Sequence, residues 1–444
     1  MTVSRTICLG FLAVITVGTI LLMMPFSTSS GTWNDPIVAL FTSTSAVCVT
    51  GLSVVDPGTY FSFWGELWIV LLAQIGGLGY MTTTTFLILL IGRRFDMRQK
   101  IAIQQALDRP GMSGSTQIIR SIIATTLIFE ITGVFLLLPA FVPDYGWQKG
   151  LWLAIFHSVN AWNNAGFSLF KDNLIGYQSS VLVVLTITGL IIFGGIGYQV
   201  ILETYFWVRD RIRNRQEKLL FSLDFKVALS TTIVLLIMGT IAFFFVELRN
   251  PETFANLSFT DKILVAWFQS VTPRTAGFNT IDIGKMTTAG LFITIAFMFI
   301  GASPGGTGGG IKTTTLRVLT SCTKAILQGK EEVLLYERKI AVSLVLKAVG
   351  VLIGSVGTVI ISTILIALSD PKLEFIQILF EVVSAFATVG LSTGITGTVS
   401  TAAKLILIVT MYVGRVGILL LMSAMLGDPR PSRIHYPEEN LLVG

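Results

Sequence analysis

The 444-residue chain is poor in the residues that build catalytic and metal centres. Its only histidines are His157 and His435, too few for a multi-histidine metal site. Its three cysteines, Cys8, Cys48 and Cys322, lie in or beside apolar stretches and form no CxxC pattern, which excludes a paired disulfide framework. Charged residues make up 13% of the chain, against about 25% in a soluble domain. With so few polar groups inside the apolar segments, no catalytic constellation stands out, and an enzyme is not expected. What fills the chain is apolar: 52% hydrophobic residues and a mean hydropathy of +0.77. This is the composition of an integral membrane protein. The net charge of +6 is confined to a few loops, so it reports topology rather than nucleic-acid binding.

Crossing ~30 Å of hydrocarbon takes about 20 apolar residues. Eight stretches qualify, at 7–26, 65–91, 116–141, 180–208, 224–247, 289–325, 340–367 and 402–426. The first, behind Arg5, is longer than a signal-peptide core and lacks a small-x-small cleavage site, so it is read as a retained span. Between alternate spans lie shorter apolar segments at 36–48, 151–163, 262–272 and 375–387. They are too short to cross and read as re-entrant half-helices.

Each half-helix runs into a glycine turn: Val49-Thr50-Gly51, Asn164-Ala165-Gly166, Thr275-Ala276-Gly277 and Thr388-Val389-Gly390. The glycines are 115, 111 and 113 residues apart. Ten residues before each stands an aromatic, Phe41, Phe156, Trp267 or Phe380; at an aromatic frequency of 11%, chance rarely matches all four. The predicted fold is therefore an all-α polytopic membrane protein. Its four M1–P–M2 repeats place eight transmembrane helices and four re-entrant pore helices around one pseudo-fourfold pore. The repeats span 1–110, 111–222, 223–335 and 336–444, the last with a C-terminal tail.

Lys and Arg concentrate in the connections 92–120, 209–226 and 324–347, which places these loops and both termini in the cytoplasm. The half-helices then face outside, with Asp56, Asp172 and Asp282 as outer-mouth acids that gather cations. The fourth repeat reads Ser392-Thr393-Gly394 where the others carry an acid.

Glycine permits positive φ, so successive carbonyls can turn toward one axis and replace an ion's hydration shell. The half-helix C-termini add partial negative charge, which favours a cation. Asp35-Pro36 marks the start of the first half-helix. No Asp or Glu ring sits at the turns themselves, which points to a monovalent ion.

The sixth span is interrupted by Gly301-Ala302-Ser303-Pro304-Gly305-Gly306-Thr307-Gly308-Gly309-Gly310-Ile311-Lys312-Thr313. A phosphate loop would need Gly-Lys-Ser/Thr after a strand, and Ile311 separates Gly310 from Lys312. Broken backbone at membrane depth lines water or is buried in protein. The expected role is a gate below the filter, built on Gly305, Gly306, Thr307, Gly308, Gly309, Gly310 and Lys312. Arg415, deep in the last span, is an expensive intramembrane charge and reads as an electrostatic barrier or an anchor for that loop. Gly76-Gly77-Leu78-Gly79-Tyr80 and Gly194-Gly195-Ile196-Gly197-Tyr198 are expected to pack helices closely within unbroken spans. His157 and Glu381 read as half-helix hydrogen-bonders; Glu130 has no assigned role.

Four M1–P–M2 units with one filter glycine each, and a glycine-rich break in the third M2, resemble the Trk/Ktr/HKT superfamily of K⁺ transporters. The likeness covers nearly the whole chain. The chain starts at the first M1 without the extra N-terminal helices of Trk-type subunits, which makes it most similar to the membrane subunits of bacterial Ktr systems. The resemblance implies that Gly51, Gly166, Gly277 and Gly390 are filter glycines, with carbonyls of the preceding two residues in each turn holding K⁺. Na⁺-selective plant relatives carry Ser where this chain has Gly51, so K⁺ is the expected ion, with Na⁺ as an activator. It further implies potential-driven uptake and a homodimer in the bacterial inner membrane, set among lipids on a cytosolic ring of RCK-type, KtrA-like nucleotide-binding regulatory subunits. The nucleotide then belongs to the partner and no cofactor to this chain. A Na⁺-preferring or poorly selective transporter is the near alternative. A membrane subunit of an ATP-driven machine is disfavoured by the absent Gly-Lys pair and soluble domain.

Overall fold

The structure is a computed structural model that describes residues 3–79, 115–213 and 221–427. In the first quarter lie α1 (Val3–Met23), α2 (Pro36–Val47), α3 (Pro57–Tyr60) and α4 (Phe63–Leu78). The second holds α5 (Ser115–Tyr145), α6 (Trp147–Asn163), α7 (Val181–Gly195) and α8 (Tyr198–Ile212). The third holds α9 (Leu223–Glu247), α10 (Phe259–Val271), α11 (Thr288–Phe299) and α12 (Thr313–Leu327). A small hairpin of β1 (Leu334–Leu335) and β2 (Arg338–Lys339) leads to α13 (Val342–Ser369), α14 (Phe375–Phe386), α15 (Thr401–Val416) and α16 (Ile418–Leu426).

Among the described residues four helices, within α1, α5, α9 and α13, are by themselves long and apolar enough to cross a membrane. They expose large apolar side chains such as Val17, Ile128, Phe245 and Ile353, as lipid-facing helices do. Helix starts are capped as their sequences prescribe. Asp35 accepts from the N–H of Ile37 at 2.7 Å, and Ser222 and Ser258 cap α9 and α10 in the same way.

Each long helix packs on the short helix after it, α1 on α2, α5 on α6, α9 on α10 and α13 on α14. The next apolar helix of each quarter reaches the following quarter's short helix. Thus α4 packs on α6, α7 on α10, α11 on α14, and α15 returns to α2. The contact cycle closes on itself.

Two of the helices after the short ones are not the unbroken spans expected from the sequence. The expected span 180–208 bends by 103° between α7 and α8, and 402–426 bends by 94° between α15 and α16. The cause is local: Gly197 and Gly417 take φ of +95° and +85°, a conformation that ends a right-handed helix. Gly79 does the same at φ +78° where α4 ends; the rest of the expected span 65–91 lies outside the described residues, as do most of the basic loop 92–120, Arg215 and Lys218. Close packing between helices holds for the earlier glycines of these runs, while Gly197 abuts the Pro304 carbonyl of the glycine-rich loop and Gly79 has open space. A β-carbon on Gly76, Gly194 or Gly414 would lie closer than 3.0 Å to the carbonyl oxygen of Val47, Trp162 or Phe386.

The aromatic register also shifts in the third quarter. Phe41, Phe156 and Phe380 are fully buried, but their counterpart is Phe268, not Trp267, whose indole N–H reaches Thr188 Oγ1 at 3.1 Å. In the other three quarters the N–H just before the glycine bonds five residues back, as in Thr50 to Ser45. In the third, Ala276 bonds only four back, to Thr272. Pro273 has no N–H to offer, and the turn closes one residue sooner.

Candidate functional site

The four glycine turns meet. A β-carbon on Gly51 would lie closer than 3.0 Å to the carbonyl oxygen of Ala165, one on Gly166 to that of Ala276, one on Gly277 to that of Val389, and one on Gly390 to that of Thr50. Each glycine therefore abuts the residue just before the next glycine, and the fourth abuts the first. This is a closed ring of four backbone segments, too tight for any side chain at the glycines.

The backbone alternates in hand within each turn. Val49, Asn164, Thr275 and Thr388 have φ of +57°, +58°, +68° and +51°, and the glycines two residues later have +91°, +69°, +77° and +92°. Reversing the sign of φ at every second residue turns neighbouring carbonyls to the same side. For Val and Thr this conformation costs roughly 1–2 kcal/mol each, so tertiary packing must impose it. The side-chain hydroxyls of Thr50 and Thr388 are buried and find no partner among the described residues.

Side chains from the short helices brace the turns. Ser45 and Ser384 Oγ accept from the N–H of Gly51 and Gly390 at 3.0 and 3.1 Å. His157 contacts the Leu153 carbonyl through Nδ1 at 2.8 Å and Ser168 Oγ through Nε2 at 3.0 Å. A carbonyl only accepts, so Nδ1 carries the proton and Nε2 accepts from Ser168. Glu381, at the same position relative to its glycine, accepts from Ser392, from the N–H of Thr393 at 3.1 Å and from Thr396 at 3.0 Å. Glu130 also gains a role: its carboxylate accepts from Asn163 Nδ2 at 3.2 Å, which further bonds Gln74 Oε1 at 2.6 Å, joining α5, α6 and α4.

On one side the ring opens into a cavity of about 540 Å³, with all four glycines at its base and Asp56, Asp172 and Asp282 in its wall. Two of these acids also cap local turns. Asp56 accepts from Thr59 Oγ1 at 2.7 Å and Asp282 from the N–H of Gly284 at 3.0 Å.

On the other side lies the glycine-rich loop. A β-carbon on Gly308 or Gly309 would be closer than 3.0 Å to the hydroxyl of Thr275 or Thr388, so the loop presses directly on the ring. Its backbone satisfies carbonyls released at the α7 break. Ser303 N–H bonds Gly195 O at 2.9 Å, Thr307 N–H bonds Gly194 O at 3.1 Å, and Thr307 Oγ1 donates to Trp162 O at 3.2 Å. Lys312 Nζ donates to Gly308 O at 2.8 Å. Half-buried Arg415 donates one guanidinium N–H to the carbonyl of Thr307 and another to that of Gly76. It is thus held inside rather than reaching for an interface.

Sequence reading missed Arg274, three residues before Gly277 and 7% exposed, whose guanidinium donates to Thr232 Oγ1 at 3.2 Å. A charge so close to a glycine turn was the available signal. It also missed the Ser45 and Ser384 braces, although both serines stand six residues before their glycines.

Comparison with known proteins agrees with this architecture. Residues 4–427 match the family model described as TrkH, cation transport protein. The chain is 38% identical to the Ktr system potassium uptake protein B of Bacillus subtilis, covering 100% of this chain and 97% of that protein. It is 37% identical to the potassium/sodium uptake protein NtpJ of Enterococcus hirae, covering 99% of this chain and 97% of that one. The crystal structure of the potassium transporter TrkH from Vibrio parahaemolyticus superposes with a TM-score of 0.70 at 18% identity, over 95% of this chain and 85% of that one.

Proposed function

The chain belongs to the TrkH family of cation transport proteins, and from that premise we propose that it is the membrane subunit of a K⁺ uptake system. The closed ring of Gly51, Gly166, Gly277 and Gly390 carries this reading. In it, four M1–P–M2 units surround one pore, and the carbonyls of Val49 and Thr50, Asn164 and Ala165, Thr275 and Ala276, Thr388 and Val389, with those of the glycines, take the place of water around K⁺. The alternating hand of the backbone supports this, because it aims consecutive carbonyls alike. Asp56, Asp172 and Asp282 raise the cation concentration at the outer mouth. The C-termini of the four short helices supply partial negative charge at the ring.

Below the ring, the loop from Gly305 to Lys312 closes the pathway and Arg415 holds it closed. Membrane potential drives the ion inward once the loop moves. The basic loops and both termini face the cytoplasm of a bacterial inner membrane. The protein works as a homodimer on a ring of RCK-type, KtrA-like subunits that bind the nucleotide; its likeness to Ktr system proteins supports this. Na⁺ acts as activator or accompanies K⁺, a reading favoured by the potassium/sodium uptake relative.

The test is uptake in a bacterial strain lacking its own K⁺ transporters, with K⁺ and Na⁺ each measured with and without the other. Wild type should restore K⁺ uptake and Gly277→Ser should lower K⁺ affinity sharply. Normal K⁺ affinity in a well-expressed Gly277→Ser protein would refute the filter assignment.

A further inference from the structure

Away from the ring, a second cavity of about 330 Å³ lies between α12 and the hairpin of β1 and β2. One face of α12 supplies Arg317, Thr320, Ser321 and Lys324, and Lys330 closes the end. These positions recur at three-, four- and seven-residue spacing, so they share one side of the helix. The opposite wall is fixed. Leu335 is buried against Val227 and Ile340, and Tyr336 donates to Ser230 Oγ at 2.7 Å.

Three cations converge on this cleft, and none pairs with a carboxylate among the described residues, whose ion pairs are Arg209–Asp210 and Glu332–Lys339. Glu332 also faces the cleft, but Lys339 holds it at 2.5 Å. Converging like charges repel unless an anion joins them. Arg with Lys and the Ser321 hydroxyl suits the several oxygens of a phosphate group, while the Thr320 hydroxyl donates to Arg317 O at 3.1 Å. Just beyond the cleft, Ile326 and Leu327 at the end of α12 are 71% and 82% exposed. A phosphate beside exposed apolar residues at a helix end is the chemistry of a lipid headgroup at the membrane surface.

We propose that this cleft binds the phosphate of an anionic membrane lipid. α12 begins at Thr313, next to Lys312, which holds Gly308 beneath the ring. A bound lipid would therefore fix the helix that carries the glycine-rich loop. That consequence rests on the transporter reading; the binding itself does not.

The test uses the purified full-length protein, stripped of lipid and offered phosphatidylglycerol or phosphatidylcholine, with retained lipid counted by native mass spectrometry. Wild type should retain phosphatidylglycerol preferentially. Arg317→Gln, Lys324→Gln and Lys330→Gln should each lower that retention about fivefold, the order expected of one cation at an anionic surface. Arg317→Lys with Lys324→Arg keeps the charge and should keep the lipid, which guards against a folding defect in the Gln variants. Equal retention by wild type and the triple Gln variant overturns the proposal. So does displacement of the lipid by millimolar inorganic phosphate or ATP, which would make the site one for soluble phosphates. Rb⁺ flux into phosphatidylcholine vesicles with and without phosphatidylglycerol then tests the link to the loop. Unchanged flux with intact binding removes that link alone.

Discussion

Arg415 donates a hydrogen bond to the carbonyl of Thr307, joining the last quarter of the chain to the loop of the third. Its second N–H reaches Gly76 in the first quarter. Because the same loop touches Gly194 and Gly195 in the second, one cation and one loop tie all four quarters together beneath the ring. In the proposed transport cycle this pair is the latch, and its removal is informative.

Arg415→Ala removes both hydrogen bonds and with them the tie between the glycine-rich loop and α4. Basal Rb⁺ flux in proteoliposomes should rise several-fold. Arg415→Lys, which lacks the planar fork, should fall between wild type and Ala. Flux equal to wild type in Arg415→Ala would reduce the residue to packing.

Gly308 and Gly305 offer a matched pair of loop substitutions. A β-carbon on Gly308 would collide with the Thr275 hydroxyl, whereas at Gly305 nothing lies within 4 Å. Gly308→Ala should displace the loop and raise leak. Gly305→Ala, at φ +71°, carries only backbone strain of about 1–2 kcal/mol, and should keep near-normal flux. The order of the two leaks, measured side by side, decides whether the loop seals by contact.

Glu381→Ala removes the acceptor shared by Ser392, the N–H of Thr393 and Thr396; the two hydroxyls, 2.8 Å apart, can bond each other, but the remaining donors lose their partner. An unsatisfied buried donor costs about 1–3 kcal/mol, so the fourth turn should loosen. The ratio of K⁺ to Na⁺ uptake should fall in Glu381→Ala and be partly restored in Glu381→Gln. An unchanged ratio with lower thermal stability would confine Glu381 to folding.

Asp370 predicts a pH effect at the end of α13. Burial acts to raise its pKa, but hydrogen bonds from the Ser400 hydroxyl, the Ser369 hydroxyl and the Ser400 N–H outweigh it and leave the carboxyl below its usual value. A depressed folded-state pKa gives stability that is present above the unfolded-state pKa and lost as pH falls through the folded one. Melting temperature should therefore drop on acidification below the normal carboxylate range, and Asp370→Asn should flatten that limb. Identical acid limbs in both proteins would contradict the assignment.

The four glycine turns were legible in the chain because a short apolar segment followed by a glycine is a local feature. The breaks after α7 and α15 were hidden. Apolar composition runs straight through Gly197 and Gly417, and only their positive φ shows that the helix stops. The shift from Trp267 to Phe268 turns on one missing N–H at Pro273, which spacing alone does not weigh. The left-handed conformation of Val49, Thr275 and Thr388 runs against the preference of β-branched residues. It arises from ring contacts more than a hundred residues apart in sequence. Arg415 was readable as a costly charge, but its two carbonyl partners exist only because α4 and the glycine-rich loop present them.

If the four turns hold K⁺ by their carbonyls, crystals grown in Rb⁺ should show anomalous-diffraction peaks on the axis enclosed by Gly51, Gly166, Gly277 and Gly390, weakened when Na⁺ replaces most of the Rb⁺. Rb⁺ density confined to the cavity beside Asp56, Asp172 and Asp282, with none on the axis, would contradict it.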